Sequence, residues 1–244
     1  STSSPSGGDI TLRASGGIMG VGAVTIDSNA GLTIDNAITA VAGLTLRAKG
    51  GIALNGAGSG TQVSITANNG ITIADNLTST TSLLINSDFD ADGMGVFTLA
   101  SGATIDTTGS NLSIVCSDIV LDGNINVGSA TVAIAPAVAK TIGLGTAAGD
   151  IQLSGDELSH ITAGTLALGS ELTTSINVDS VAAGDTANIA NLITFLSDDV
   201  NITGAFNTSN ASLAIARGSA GNISVGNAVG GLNLSSAELA LITT

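Results

Sequence analysis

The sequence predicts an all-β chain, a right-handed parallel β-helix (β-solenoid) of about twelve coils of ~20 residues with no globular subdomain. Three observations predict it. Four segments share one nine-residue pattern: Ile10-Thr-Leu-Arg-Ala-Ser-Gly-Gly-Ile18, Val24-Thr-Ile-Asp-Ser-Asn-Ala-Gly-Leu32, Leu44-Thr-Leu-Arg-Ala-Lys-Gly-Gly-Ile52 and Val63-Ser-Ile-Thr-Ala-Asn-Asn-Gly-Ile71. Apolar residues flank a small polar residue throughout the chain. Hydrophobic residues reach 43% with only 2% aromatic, so the interior is narrow and aliphatic.

Each element follows from the period-two rule of strands. In Leu83-Leu-Ile85, Phe97-Thr-Leu99, Leu112-Ser-Ile114, Ile125-Asn-Val127, Val132-Ala-Ile134, Ile151-Gln-Leu153, Leu166-Ala-Leu168 and Ile176-Asn-Val178 the outer residues point inward and the middle one outward. Val200-Asn-Ile202, Leu213-Ala-Ile215, Ile223-Ser-Val225 and Leu232-Asn-Leu234 continue the series. Gly, Asn, Asp and Ser make the corners, with 33 Gly against 2 Pro. Strand starts alternate between a short and a longer spacing, which favours the right-handed form over a hexapeptide left-handed coil. At ~4.8 Å per stacked strand, twelve coils give a rod roughly 55–60 Å long. The chain is read as one array, residues 1–244, with a polar lead at 1–8.

A longer repeat lies above the coil. Residues 112–162 align without gaps on 193–243, an offset of 81 that corresponds to about four coils. Ile142, Gly145, Ala147 and Gly149 match Ile223, Gly226, Ala228 and Gly230, and Leu153-Ser-Gly-Asp-Glu-Leu158 matches Leu234-Ser-Ser-Ala-Glu-Leu239. Ser154 and Ser235 fit helix N-caps, with Glu157 and Glu238 at N3 as capping boxes, and the flanking leucines fit hydrophobic staples. Each segment is expected to be a single helical turn.

Charge and composition exclude several functions. The net charge is −14, from 19 acids and 5 bases, and the bases form no cluster larger than the Arg47/Lys49 pair. Nucleic acid would be repelled. No apolar run approaches the ~20 residues of a membrane-spanning helix, so no membrane insertion is expected. Cys116 is alone in a strand and is expected to be a buried, inert thiol. The polar start Ser1-Thr-Ser-Ser-Pro-Ser-Gly-Gly8 is unlike a signal peptide, and the chain stops inside its own motif at Thr244, without a polar capping repeat.

The sharpest local motif is Asp88-Phe-Asp-Ala-Asp-Gly93. It has the D-x-D-x-D-G start of a calcium loop, in which alternate carboxylates converge and Gly makes the turn. Asp88, Asp90 and Asp92 are the candidate metal ligands, and Ca²⁺ is the one cofactor the sequence points to. Counted from Leu83 to Val96, the run is a five-residue insertion. The Glu expected at loop position twelve is replaced by Leu99. His160 is the sole histidine, and its counterpart in the other copy is Leu241, so packing is expected there. No nucleophilic triad or zinc set can be assembled, and an enzyme is not expected. Outward Thr25, Thr45 and Ser64, with Thr33 and Thr72, form a broken ladder that keeps ice binding as a minor reading.

The coil motif [Val/Ile/Leu]-Thr-[Leu/Ile]-x-Ala-x-x-Gly-Ile and the stretch Leu153-Ser-Gly-Asp-Glu-Leu-Ser-His-Ile-Thr-Ala-Gly-Thr-Leu-Ala-Leu-Gly169 resemble the repeat region of filamentous-haemagglutinin-like proteins, the large exoproteins of two-partner secretion. The Asn-Pro-rich secretion-domain signature of that family is missing. The resemblance covers nearly the whole chain and implies a secreted β-helix at a bacterial cell surface with adhesive or structural use. The expected partners are further copies of the chain, a host or surface receptor, or a glycan. The expected role is a segment of a giant adhesin or the subunit of an end-to-end filament. A carbohydrate-binding or carbohydrate-cleaving β-helix is the alternative.

Overall fold

The computed structural model describes residues 2–3, 8–226 and 231–244. Ser1, residues 4–7 of the polar lead, and the repeat matches at Ala228 and Gly230 lie outside the described residues. Strand accounts for 56% and helix for 6%, so the chain is all-β. Every pairing between strands is parallel among the described residues. This is consistent with a β-solenoid.

The strands stack in columns. In the first column Val24, Leu44, Val63 and Leu83 align, in steps of 20, 19 and 20 residues. Leu112, Val132, Leu166, Ile193 and Leu213 continue the same line. The second column aligns Ile10, Leu32, Ile52, Ile71, Phe97 and Ile119. The third aligns Ile18, Ile38, Gly58, Leu77, Ile105, Ile125 and Ile161. The long strands Ile38–Ala48, Gly58–Ala67 and Leu77–Asn86 pass through two columns, and register shifts between Ala40 and Gly43 and between Ser79 and Ser82 mark the corner.

Aligned positions carry like side chains because each inward residue packs on the one below. One apolar cluster runs through the array, with Ile34, Leu44, Ile65, Ile85, Ile114, Ile134 and Ile176 fully buried. Phe195 and Phe206, both buried in the C-terminal copy, stack at 5.6 Å between ring centres. Cys116 is buried in register with Pro136, and burial pushes its thiol pKa well up, with the Asp118 charge adding to it. A coil buries about six aliphatic side chains, worth ~9–18 kcal/mol, against ~1–2 kcal/mol of backbone entropy for each of its ~20 residues. Stacking is therefore obligatory.

The 81-residue unit departs from four equal coils. It contributes three strands to the first column and four to the second. The extra strand comes from a tight parallel pair, Lys140–Gly145 and Ile151–Leu153, with Ile142 opposite Ile151. Parallel neighbours usually need a crossover of a dozen or more residues. Here five suffice, because Gly145 turns the chain at φ 69° and Gly143 and Gly149 let the backbones touch. A Cβ on Gly149 would lie 2.2 Å from the Gly143 nitrogen. The second copy repeats the parallel pair and the positive-φ glycine, with Ile223 opposite Leu232 and Gly226 at φ 84°.

Both expected helical turns are present. Helix α1 spans Gly155–Ser159 and carries the Ser154/Glu157 capping box. An unexpected helix α2 spans Ala183–Thr186, its first turn held by the Asp185 carboxylate, which accepts from the Ala182 N–H at 2.8 Å. Helix α3 spans Ser236–Leu239 and carries the Ser235/Glu238 box. The staple is complete at Leu153 and Leu158, both buried, whereas Leu239 is 38% exposed.

Candidate functional site

The Asp-rich insertion sits at the corner after the Leu77–Asn86 strand. Its length needs a correction. Phe97, not Val96, pairs with Ile71, and Val96 is exposed, so the insertion is one residue longer than the sequence count. Leu99, at the twelfth loop position, is a buried core residue opposite Ile73.

The three carboxylates do converge. Asp88, Asp90 and Asp92 each offer an oxygen, and these oxygens lie within 4.8 Å of one another. Asp88 is fully buried, while Asp90 and Asp92 are exposed. The Asp88 carboxylate accepts the Gly93 N–H at 3.1 Å, and Asp92 accepts the Met94 N–H at 2.9 Å. Ala91 and Gly93 take positive φ, 56° and 84°, to bring the loop round. Burial raises the Asp88 pKa above the usual carboxylate range. The Gly93 bond opposes this, and the Asp92 and Asp90 charges reinforce it. A divalent cation would offset that repulsion.

The same loop forms one wall of a groove that sequence reading missed. The Phe89 N–H donates to the Ala67 carbonyl at 2.9 Å, extending the ladder in which the Asn68 N–H meets Ala48 and the Lys49 N–H meets Ser28. Phe89 thereby follows Asn68, Lys49 and Asn29 along the stack. Beside that row run Asp27, Arg47 and Thr66, paired in register. Together these line a groove of about 430 Å³. The Arg47/Lys49 pair was visible in sequence. Its proximity to Phe89 follows only from a stacking register carried across the insertion.

His160 takes a polar role as well as a packing position. Its Nδ1 lies 2.8 Å from the Leu121 carbonyl oxygen. It borders a groove of about 410 Å³ with Asp122, Asp156 and Glu157. Glu157 is fully engaged there. It accepts the Ser154 N–H at 2.9 Å, the Ser154 hydroxyl at 2.8 Å and the Leu121 N–H at 3.1 Å. A carboxylate so committed serves the fold and is poorly placed to move protons.

The Thr rows are in register: Thr25 with Thr45 and Ser64, and Thr11 with Thr33, Ala53, Thr72 and Thr98. No helix among the described residues is long and apolar enough to cross a membrane. No protein-family model, curated protein or solved structure matches the chain.

Proposed function

We propose that the chain is a right-handed parallel β-helix of about twelve coils that serves, without catalysis, as a structural or adhesive element at a bacterial cell surface. It acts as a length of a giant adhesin or as the subunit of a filament joined end to end. One observation carries the reading. The Ile223–Val225 strand is open: Ile223 is 46% and Val225 61% exposed, whereas their counterparts Ile142 and Leu144 are 0% and 1% exposed beneath the Thr173–Asp179 strand. An apolar strand edge of this kind accepts another parallel strand, from the same protein or from a second copy. The resemblance of the repeats to filamentous-haemagglutinin-like exoproteins supports a secreted setting.

Sedimentation and electron microscopy of concentrated protein test this. End-to-end rods are expected, and Val225→Lys is expected to abolish them while leaving the circular dichroism unchanged. Protein that stays monomeric at every concentration removes the filament form and leaves the adhesin segment. Ca²⁺ at Asp88, Asp90 and Asp92 is part of the proposal, as a brace for the insertion.

A further inference from the structure

We propose that the groove under the Asp88–Gly93 loop binds an acidic oligosaccharide, of which at least one sugar carries a carboxylate. The proposal stands independently of the rod assembly, since it uses a lateral face remote from the open strand.

The observations are compositional and geometric together. The chain has four Phe, and three of them, Phe97, Phe195 and Phe206, are buried. The fourth, Phe89, is 61% exposed and forms one wall of this groove. The chain has five bases against 19 acids, yet two of the five, Arg47 and Lys49, face the same groove. Among the described residues neither cationic head has an ion pair or hydrogen bond, and the ion pair found there joins Arg13 to Asp35. An acidic protein that gathers its exposed ring and two uncommitted cations in one concave place has built a local exception to its own field.

The chemistry that fits is specific. The face of an aromatic ring carries negative quadrupole charge and attracts the C–H face of a sugar. Phe89 stands two rungs of the ladder from Lys49, roughly 10 Å along the stack. A sugar ring stacked on Phe89 therefore leaves its neighbour beside Arg47 and Lys49. Arg47 offers a planar fork that suits a carboxylate, and Lys49 adds a point charge. Asp27 and Asp90, also lining the groove, accept hydroxyl hydrogens. The floor, of Ser28, Ala48 and Thr66, is made of short side chains that leave room for a ring. A volume of about 430 Å³ falls within the ~300–1,000 Å³ usual for small-molecule sites. Nucleic acid is disfavoured by the surrounding charge of −14.

Calorimetry with trigalacturonate, its fully methyl-esterified neutral form, and an oligoglutamate of equal charge tests the assignment. Trigalacturonate is expected to bind, with affinity falling as salt rises. The ester is expected to bind at least tenfold more weakly, and the peptide not measurably. Phe89→Ala and the double variant Arg47→Gln/Lys49→Gln are each expected to lose at least tenfold, whereas Arg13→Gln changes nothing. All altered side chains are exposed, so unchanged melting temperatures certify folding. Equal binding of acid and ester, equal binding of the peptide, no binding of trigalacturonate, or indifference to Phe89→Ala would each overturn the proposal. End-to-end assembly is read separately and survives any of these results.

Discussion

Residues 112–162 and 193–243 carry one pattern and, where described, fold into like elements, yet the second copy is the more exposed of the two. The Thr131–Pro136 strand alternates between half-buried and buried positions, and its counterpart Ser212–Arg217 between exposed and half-buried ones. Leu158 is 2% exposed and Leu239 38%. Local structure does not follow this difference. Capping box, tight parallel pair and positive-φ glycine are the same in both. Secondary structure here is set within each unit, while burial is conferred by the next strand laid on top. That is the behaviour of a one-dimensional array with nearest-neighbour coupling.

The largest expected contrast is in the core. Ile142→Ala removes a side chain covered by Ile176 on one side and Ile151 on the other, and should cost about 2–5 kcal/mol. Ile223→Ala, at the matching but open position, should cost about 1 kcal/mol or less. Urea unfolding followed by circular dichroism measures both. Equal costs would refute the idea that the covering strand makes the difference.

Much of this was legible in sequence. The inward residues of the coils, the two capping boxes and the 81-residue offset were all read from spacing, because hydrophobic period and cap chemistry are local signals. The pairing of the Lys140–Gly145 and Ile151–Leu153 strands was not, since a nine-residue parallel step, which here brings the Gly143 and Gly149 backbones together, has no local sequence signal. Helix α2 was missed because Ala182 supplies no capping side chain. The length of the Asp insertion was undercounted by one, as Val96 and Phe97 both suit a strand start and only the ladder to Ile71 decides. Of the candidate site, the carboxylate triplet was readable, and the groove beside it was not.

A second contrast concerns the residue that differs between the copies at the helix start. Gly155 in the covered copy faces α2, where a Cβ would lie 2.5 Å from an Asp185 carboxylate oxygen. Ser236 occupies the same place in the open copy. Gly155→Ser should therefore destabilise by about 1–3 kcal/mol through overpacking. Ser236→Gly should cost under about 1 kcal/mol, from helix propensity alone. A melting temperature unchanged by Gly155→Ser would show that α2 yields easily.

Where the copies agree, substitutions should agree too. Glu157 ties α1 to the Leu121 N–H at 3.1 Å, and Glu238 ties α3 to the Ile202 N–H at 3.2 Å. Glu157→Gln and Glu238→Gln are each expected to cost about 0.5–2 kcal/mol and to match within error. For Glu238, burial raises the pKa, but the bonds from the Ser235 N–H, the Ser235 side chain and the Ile202 N–H together hold it below the usual glutamate value. A depressed folded-state pKa stabilises above the unfolded value and is lost as pH falls through the folded one. Protection of the Ile202 amide against exchange should therefore fall as pH drops below the usual glutamate range, and Glu238→Gln should remove that dependence.

The smallest expected effect lies in the Asp insertion and runs the other way. The Asp88 pKa is raised by burial, and the Asp92 and Asp90 charges add to the rise. A raised carboxyl pKa means that the folded state holds its proton more tightly than the unfolded chain. Stability is then greatest below the unfolded value and declines as pH rises through the folded one. Asp88→Asn keeps an oxygen for the Gly93 N–H and removes the charge, so it should raise the melting temperature at neutral pH by a few degrees, equivalent to about 1 kcal/mol. Adding Ca²⁺ to the wild type should reproduce that gain by binding the charge instead of deleting it. If Ca²⁺ gives neither heat in calorimetry nor a shift in melting, the three carboxylates form a solvated loop whose buried member is tolerated because Gly93 holds it.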